Sequence, residues 1–65
     1  MLDIRKIKAL RESLGLTQEE AARKAGISSR QRWNDIEGGR RSNVSLETLD
    51  RIAAALGVKA KDLLR

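Results

Sequence analysis

The sequence predicts an all-α fold of five short helices, and three observations predict it. The first is composition. Proline is absent, one tryptophan is the only aromatic residue, and Ala, Leu, Lys, Arg and Glu abound, all good helix formers. The second is period: apolar residues recur at steps of three and four, so they share one face of a helix. The third is punctuation. Ser and Thr stand before the periodic segments and glycines stand after them, as start and stop signals should.

The first helix is expected over about residues 2–14, with Ile4, Ile7, Leu10 and Leu14 on its inner face and Gly15 as a left-handed stop. The second is expected over 17–25. Thr17 and Glu20 fit a capping box, in which the hydroxyl takes one free amide and the carboxylate reaches back to another. Glu19 and Glu20 also suit the positive end of the helix dipole. Its inner face is Ala21, Ala22 and Ala25, small enough for another helix to come close, and Gly26 ends it. The third helix spans 29–37, with Ser28 or Ser29 as its N-cap. Trp33 and Ile36 are its only large apolar residues, Ile27 joins the core before it, and Gly38 and Gly39 stop it. Ser45 opens the fourth, over 45–56, with the stripe Leu46, Leu49, Ile52, Ala53 and Leu56 and the stop Gly57. A fifth, over 60–64, docks Val58 and Leu63 on the core, although Lys59 is a weak cap.

Length and composition exclude much. The 65 residues allow one domain, 1–65, with no room for a deep enzymatic cavity beside the core. Cysteine and histidine are both absent. That removes disulfides, zinc sites with those ligands, thiol nucleophiles and histidine acid–base catalysis. Carboxylates sit beside basic residues on helix surfaces rather than as a catalytic pair, so no enzyme, cofactor or metal is expected. No apolar run approaches the roughly eighteen residues of a membrane span, and the first residues lack a signal-peptide stretch. A soluble, cytoplasmic protein is expected. The chain opens on Met1, as at a natural start, and stops directly after the apolar pair Leu63-Leu64, as a truncated longer protein also would. The net charge of +5 favours a polyanionic partner. An acidic membrane face is the poorer match, because the apolar stripes are consumed by a common core.

Helix, glycine turn and helix at residues 17–37 have the tight spacing of a helix-turn-helix. The second helix of the pair buries a narrow stripe and turns Arg, Gln and Asn outward. Arg pairs with guanine and Gln or Asn with adenine in the major groove. Ser29, Arg30, Gln31 and Asn34 are the candidate base contacts, against the plainer reading of a solvated helix face. Ser28, Arg32, Arg40 and Arg41 are candidate phosphate contacts, as is Thr17 at the start of the preceding helix, since helix N-termini suit phosphates. Asp35 also points outward, where it would accept from cytosine N4 but repel phosphate. Arg5, Lys6 and Lys8 are weaker candidates. The three-residue spacing from Trp33 to Ile36 assigns the indole to the core rather than to base stacking.

The runs Leu14-Gly15-Leu16-Thr17-Gln18-Glu19-Glu20-Ala21-Ala22, Ala25-Gly26-Ile27-Ser28, Asp35-Ile36-Glu37, Gly39-Arg40-Arg41, Ser45-Leu46-Glu47-Thr48-Leu49 and Ala55-Leu56-Gly57-Val58 resemble the lambda-repressor/Cro-type (XRE-family) helix-turn-helix. The resemblance covers nearly the whole chain. It implies a compact, five-helix, lambda-repressor-like DNA-binding domain of a bacterial or phage transcriptional regulator. It also implies a phosphate contact and a bracing role for Gln18, and an internal ion pair between Arg11 and Glu37. Two departures stand out. Between Gly26 and Ile36 the chain is one residue longer than the family pattern, so the family's core position falls on Trp33. The loop from Arg40 to Ser45 is also one residue longer than the family pattern and lacks the usual proline.

Double-stranded DNA is thus the expected partner. One short helix reads few base pairs, so a homodimer on two half-sites about 34 Å apart is expected. Loop 40–44, the fifth helix or residues beyond Arg65 would supply its interface. The competing reading is a protein-interaction module of the same shape, such as an antitoxin with a toxin partner.

Overall fold

The computed structural model describes residues 2–40 and 44–65. Four α-helices form among these: α1 (Ile4–Ser13), α2 (Gln18–Ala25), α3 (Arg30–Glu37) and α4 (Leu46–Leu56). A short 3₁₀ helix, Ala60–Leu63, follows.

The ends of the chain are tied together. Leu2 pairs with Leu64 in a single antiparallel bridge, and the Asp3 N–H donates to the Leu63 carbonyl at 2.7 Å. An extended Leu2 cannot be helical, so α1 starts two residues later than the sequence suggests. Asp3 becomes its cap, accepting from the Lys6 amide at 3.2 Å. Leu14 lies past the end of α1 as its C-cap and is 49% exposed; it does not extend the apolar face.

The fifth α-helix expected at 60–64 is instead the single 3₁₀ turn. Four residues close too few bonds to nucleate an α-helix in isolation. Asp62 accepts the Lys59 amide at 3.1 Å, and Leu63 is fully buried, so this turn still seals the core.

The core is built around α2. Its buried face is Ala21, Ala22 and Ala25, and it packs on both α3 and α4. Alanines add little bulk, so the backbones can lie close. The volume comes from Trp33, Ile7, Ile52 and Leu63, which are fully buried. Each such side chain contributes roughly 1.5–3 kcal/mol of burial. In α4 the buried set is Leu49, Ile52, Ala53, Ala55 and Leu56. Leu46, expected to begin that stripe, is 78% exposed. Ser45 is extended, and the residue before it, Val44, packs against the core in place of Leu46. Among the described residues no helix is long and apolar enough to cross a membrane.

A candidate nucleic-acid interface on α2 and α3

The α2–α3 unit is fixed locally by its caps. Thr17 Oγ1 accepts the Glu20 amide at 3.1 Å, and Glu20 Oε1 accepts the Thr17 amide at 2.9 Å. Those bonds hold the Glu20 carboxyl below the usual carboxylate range. Gly26 takes φ +71°, a left-handed conformation that costs glycine little, and the Ile27 amide closes onto the Ala22 carbonyl at 2.8 Å. The chain then turns through Ser28, and Ser29 caps α3 by accepting the Arg32 amide at 3.2 Å. Two of the three hydroxyls expected at the DNA, Thr17 and Ser29, are therefore engaged as caps.

Behind α3 lies a nearly buried ion pair. Arg11 Nε donates to Glu37 Oε2 at 2.5 Å and Arg11 Nη2 to Glu37 Oε1 at 3.2 Å, a bidentate fork. The side chains are 11% and 4% exposed. Arg11 Nη1 also donates to the Leu16 carbonyl at 2.7 Å, which ties the α1–α2 connection to the same group. Glu37 accepts further from the Trp33 indole N–H and from Gln18 Nε2 at 3.4 Å. Burial pushes the Glu37 carboxyl up. The hydrogen bonds from Arg11, Trp33 and Gln18 outweigh it and hold the group below its ordinary value. The hydrogen bond from Glu37 raises the Arg11 guanidinium above its ordinary value. Among the described residues no buried side-chain polar atom lacks a partner.

From Glu37 the network runs outward. Gln18 Oε1 accepts from Asn34 Nδ2 at 3.1 Å, and Asn34 Oδ1 accepts from Arg40 Nη2 at 2.7 Å. Asp35 Oδ1 then accepts from both Arg40 Nε and Gln31 Nε2, each at 3.1 Å. Asn34, read from the helix period as an outward side chain, is half-buried and spans α2 and the end of α3. Gln18 is half-buried as well and bridges Glu37 to Asn34.

The first half of α3 is different. Ser28, Ser29, Arg30, Gln31 and Arg32 are all exposed. Among the described residues neither Arg30 nor Arg32 has a carboxylate partner. Beside them an open groove of about 460 Å³ runs from Gly26, Ile27 and Ser28 past Arg32 to Ser45, Thr48 and Arg51 of α4. Arg40 is exposed and folded back on α3, and Arg41 lies outside the described residues. No group of three potential metal-ligating side chains occurs among the described residues.

Sequence reasoning missed the junction role of Asp35. One signal was available: Gln31 and Asp35 are four residues apart, a spacing at which helical side chains meet. The return of Arg40 had no such signal, because it depends on the path through Gly38 and Gly39.

Comparison with known proteins agrees with this architecture. Residues 5–65 match the family model described as a helix-turn-helix domain. Two solved structures are similar. One is a SinR protein/SinI protein complex, 30% identical, with a TM-score of 0.87 over 97% of this chain and 60% of that one. The other is SinR, described as the master regulator for biofilm formation, in complex with DNA. It is 30% identical, with a TM-score of 0.89 over 98% of this chain and all of that one. The chain thus spans 60% of the chain it matches in the first complex. No curated protein sequence matches. With its capped helix pair, its buried Arg11–Glu37 fork and a match over almost its whole length, the chain belongs to the helix-turn-helix domain family, of the lambda-repressor-like (XRE) kind.

Proposed function

We propose that this chain is the sequence-specific, double-stranded-DNA-binding domain of a transcriptional regulator, with α3 entering the major groove. One observation carries the reading: the exposed first half of α3 presents Arg30 and Arg32, without carboxylate partners among the described residues, on a helix whose other half is locked to α1 and α2. A DNA reader needs this combination, free donors on a rigid support. The likeness to a SinR–DNA complex supports it.

In this reading Ser29, Arg30, Gln31 and Asn34 face base edges. Thr17, Gln18, Ser28, Arg32, Arg40 and Arg41 face phosphates around them. The Arg11–Glu37 pair contributes support and no contact. A homodimer on two half-sites gives the few base pairs read by each α3 enough information to select a site. The protein works in the cytoplasm.

The test is binding to random and selected duplexes at several salt concentrations. A specific reader prefers its site by at least about a thousandfold. Its log–log salt slope is about −0.9 per phosphate contacted. Weak binding, equal for every duplex, would overturn the reading.

A further inference from the structure

We infer that Asp35 is a specificity-determining residue, acting as the internal counter-ion that DNA phosphate must displace from Arg40. The inference rests on the DNA-binding reading above.

Arg40 is held to the end of α3 by three bonds. Its backbone amide donates to the Asp35 carbonyl at 2.9 Å. Its Nε donates to Asp35 Oδ1 at 3.1 Å, and its Nη2 to Asn34 Oδ1 at 2.7 Å. The chain reaches this return through Gly38 and Gly39, the latter left-handed at φ +79°. The pair remains within reach of solvent, with Arg40 64% and Asp35 27% exposed. A phosphate can therefore compete for the guanidinium. Among the described residues Arg30 and Arg32 face no such competition.

Displacement leaves a carboxylate at the DNA surface. Phosphates repel it, and Gln31 alone still donates to it. In the major groove the remaining donors are exocyclic amino groups, above all cytosine N4. A duplex that presents such a group opposite Asp35 offsets the displacement. A duplex that presents only acceptors there does not. The Asp35–Arg40 pair thus weakens binding to most sequences and spares those with an amino group in the right place.

The experiment measures binding of random duplexes, and of a selected duplex with each base pair varied in turn, over a salt series. The proteins are the wild type, Asp35→Asn, Arg40→Ala, Arg30→Ala, and Asp35→Asn combined with each arginine variant. Asp35→Asn should bind random duplexes several-fold tighter. Its salt slope should steepen by about 0.9, the mark of one more phosphate contact. It should also lose preference at one base pair of the selected duplex. In the Arg40→Ala background the gain and the steeper slope should vanish, while Arg30→Ala should leave them intact. A gain of equal size with and without Arg40 overturns the inference, because bulk charge then explains it. So does unchanged binding by Asp35→Asn while the wild type still prefers its site. If no protein in the set, wild type included, prefers any duplex, the DNA-binding reading falls and the inference falls with it. A DNA-free readout stands apart. The Arg40 Nε–H should exchange with solvent more slowly than that of Arg30, and Asp35→Asn should abolish the difference. Equal exchange in the wild type overturns the inference on its own.

Discussion

The two halves of α3 differ in how much of their polar surface is already engaged. From Arg30 to Arg32 the side chains are exposed and the cations have no carboxylate partners among the described residues. From Trp33 to Glu37, and on to Arg40, nearly every polar group is spoken for. Both halves carry polar residues, Arg and Gln in the first and Asn, Asp and Glu in the second. What differs is proximity to α2: the second half lies beside Gln18 and over the Arg11–Glu37 fork. A polar residue on a binding helix can therefore be a contact or a brace, and its neighbours in space decide which.

The sharpest way to break this contrast is at its apolar root. Trp33→Ala should cost about 3–5 kcal/mol, since the buried indole leaves a cavity. A domain of this size holds only about 5 kcal/mol, so far-ultraviolet circular dichroism should show much of the helix content lost. Glu37→Ala should cost about 3 kcal/mol in urea unfolding, because it strands the nearly buried Arg11 guanidinium and the Trp33 N–H together. A loss under about 1 kcal/mol would mean that water replaces the carboxylate freely.

Acid probes the same group more gently. The Glu37 and Glu20 carboxyls are held below their ordinary values in the folded state. The stability they add is complete above the unfolded carboxylate range, about pH 4.3, and is lost as pH falls through their folded-state values. The urea midpoint read by Trp33 fluorescence should be level from neutral pH down to about 5 and fall below about 4. In Glu37→Gln the fall should be smaller.

At the smaller end, Asn34→Ala should cost about 1 kcal/mol of stability, since it removes the link from Gln18 to Arg40. Arg30→Ala should change stability by no more than about 0.5 kcal/mol and yet alter which duplex is preferred. If Asn34→Ala costs no stability while Arg30→Ala does, the division of α3 drawn above is wrong.

Much of this was legible in the residues. The capping box of Thr17 and Glu20, the Ser29 and Ser45 caps and the left-handed Gly26 and Gly57 depend on near neighbours in the chain. Trp33 and Ile36 were legible as core because no other large apolar residue on the helix competes with them. Leu46 was misread because helical period alone cannot tell where a stripe runs past the edge of its partners. Leu2 was misread because its partner, Leu64, lies at the other end of the chain.

The sequence by itself determined the helices, their stops, the small-residue face of α2 and the placing of cations on α3. All of these follow from interactions within one turn of chain, where spacing equals geometry. Only the tertiary structure decided which of the outward polar residues are free. Asn34, read as outward, meets Gln18 across sixteen positions. Arg40 turns back onto Asp35 and Asn34 just after the left-handed Gly39. Such meetings depend on how helices pack, and packing is set by the whole core rather than by any one segment.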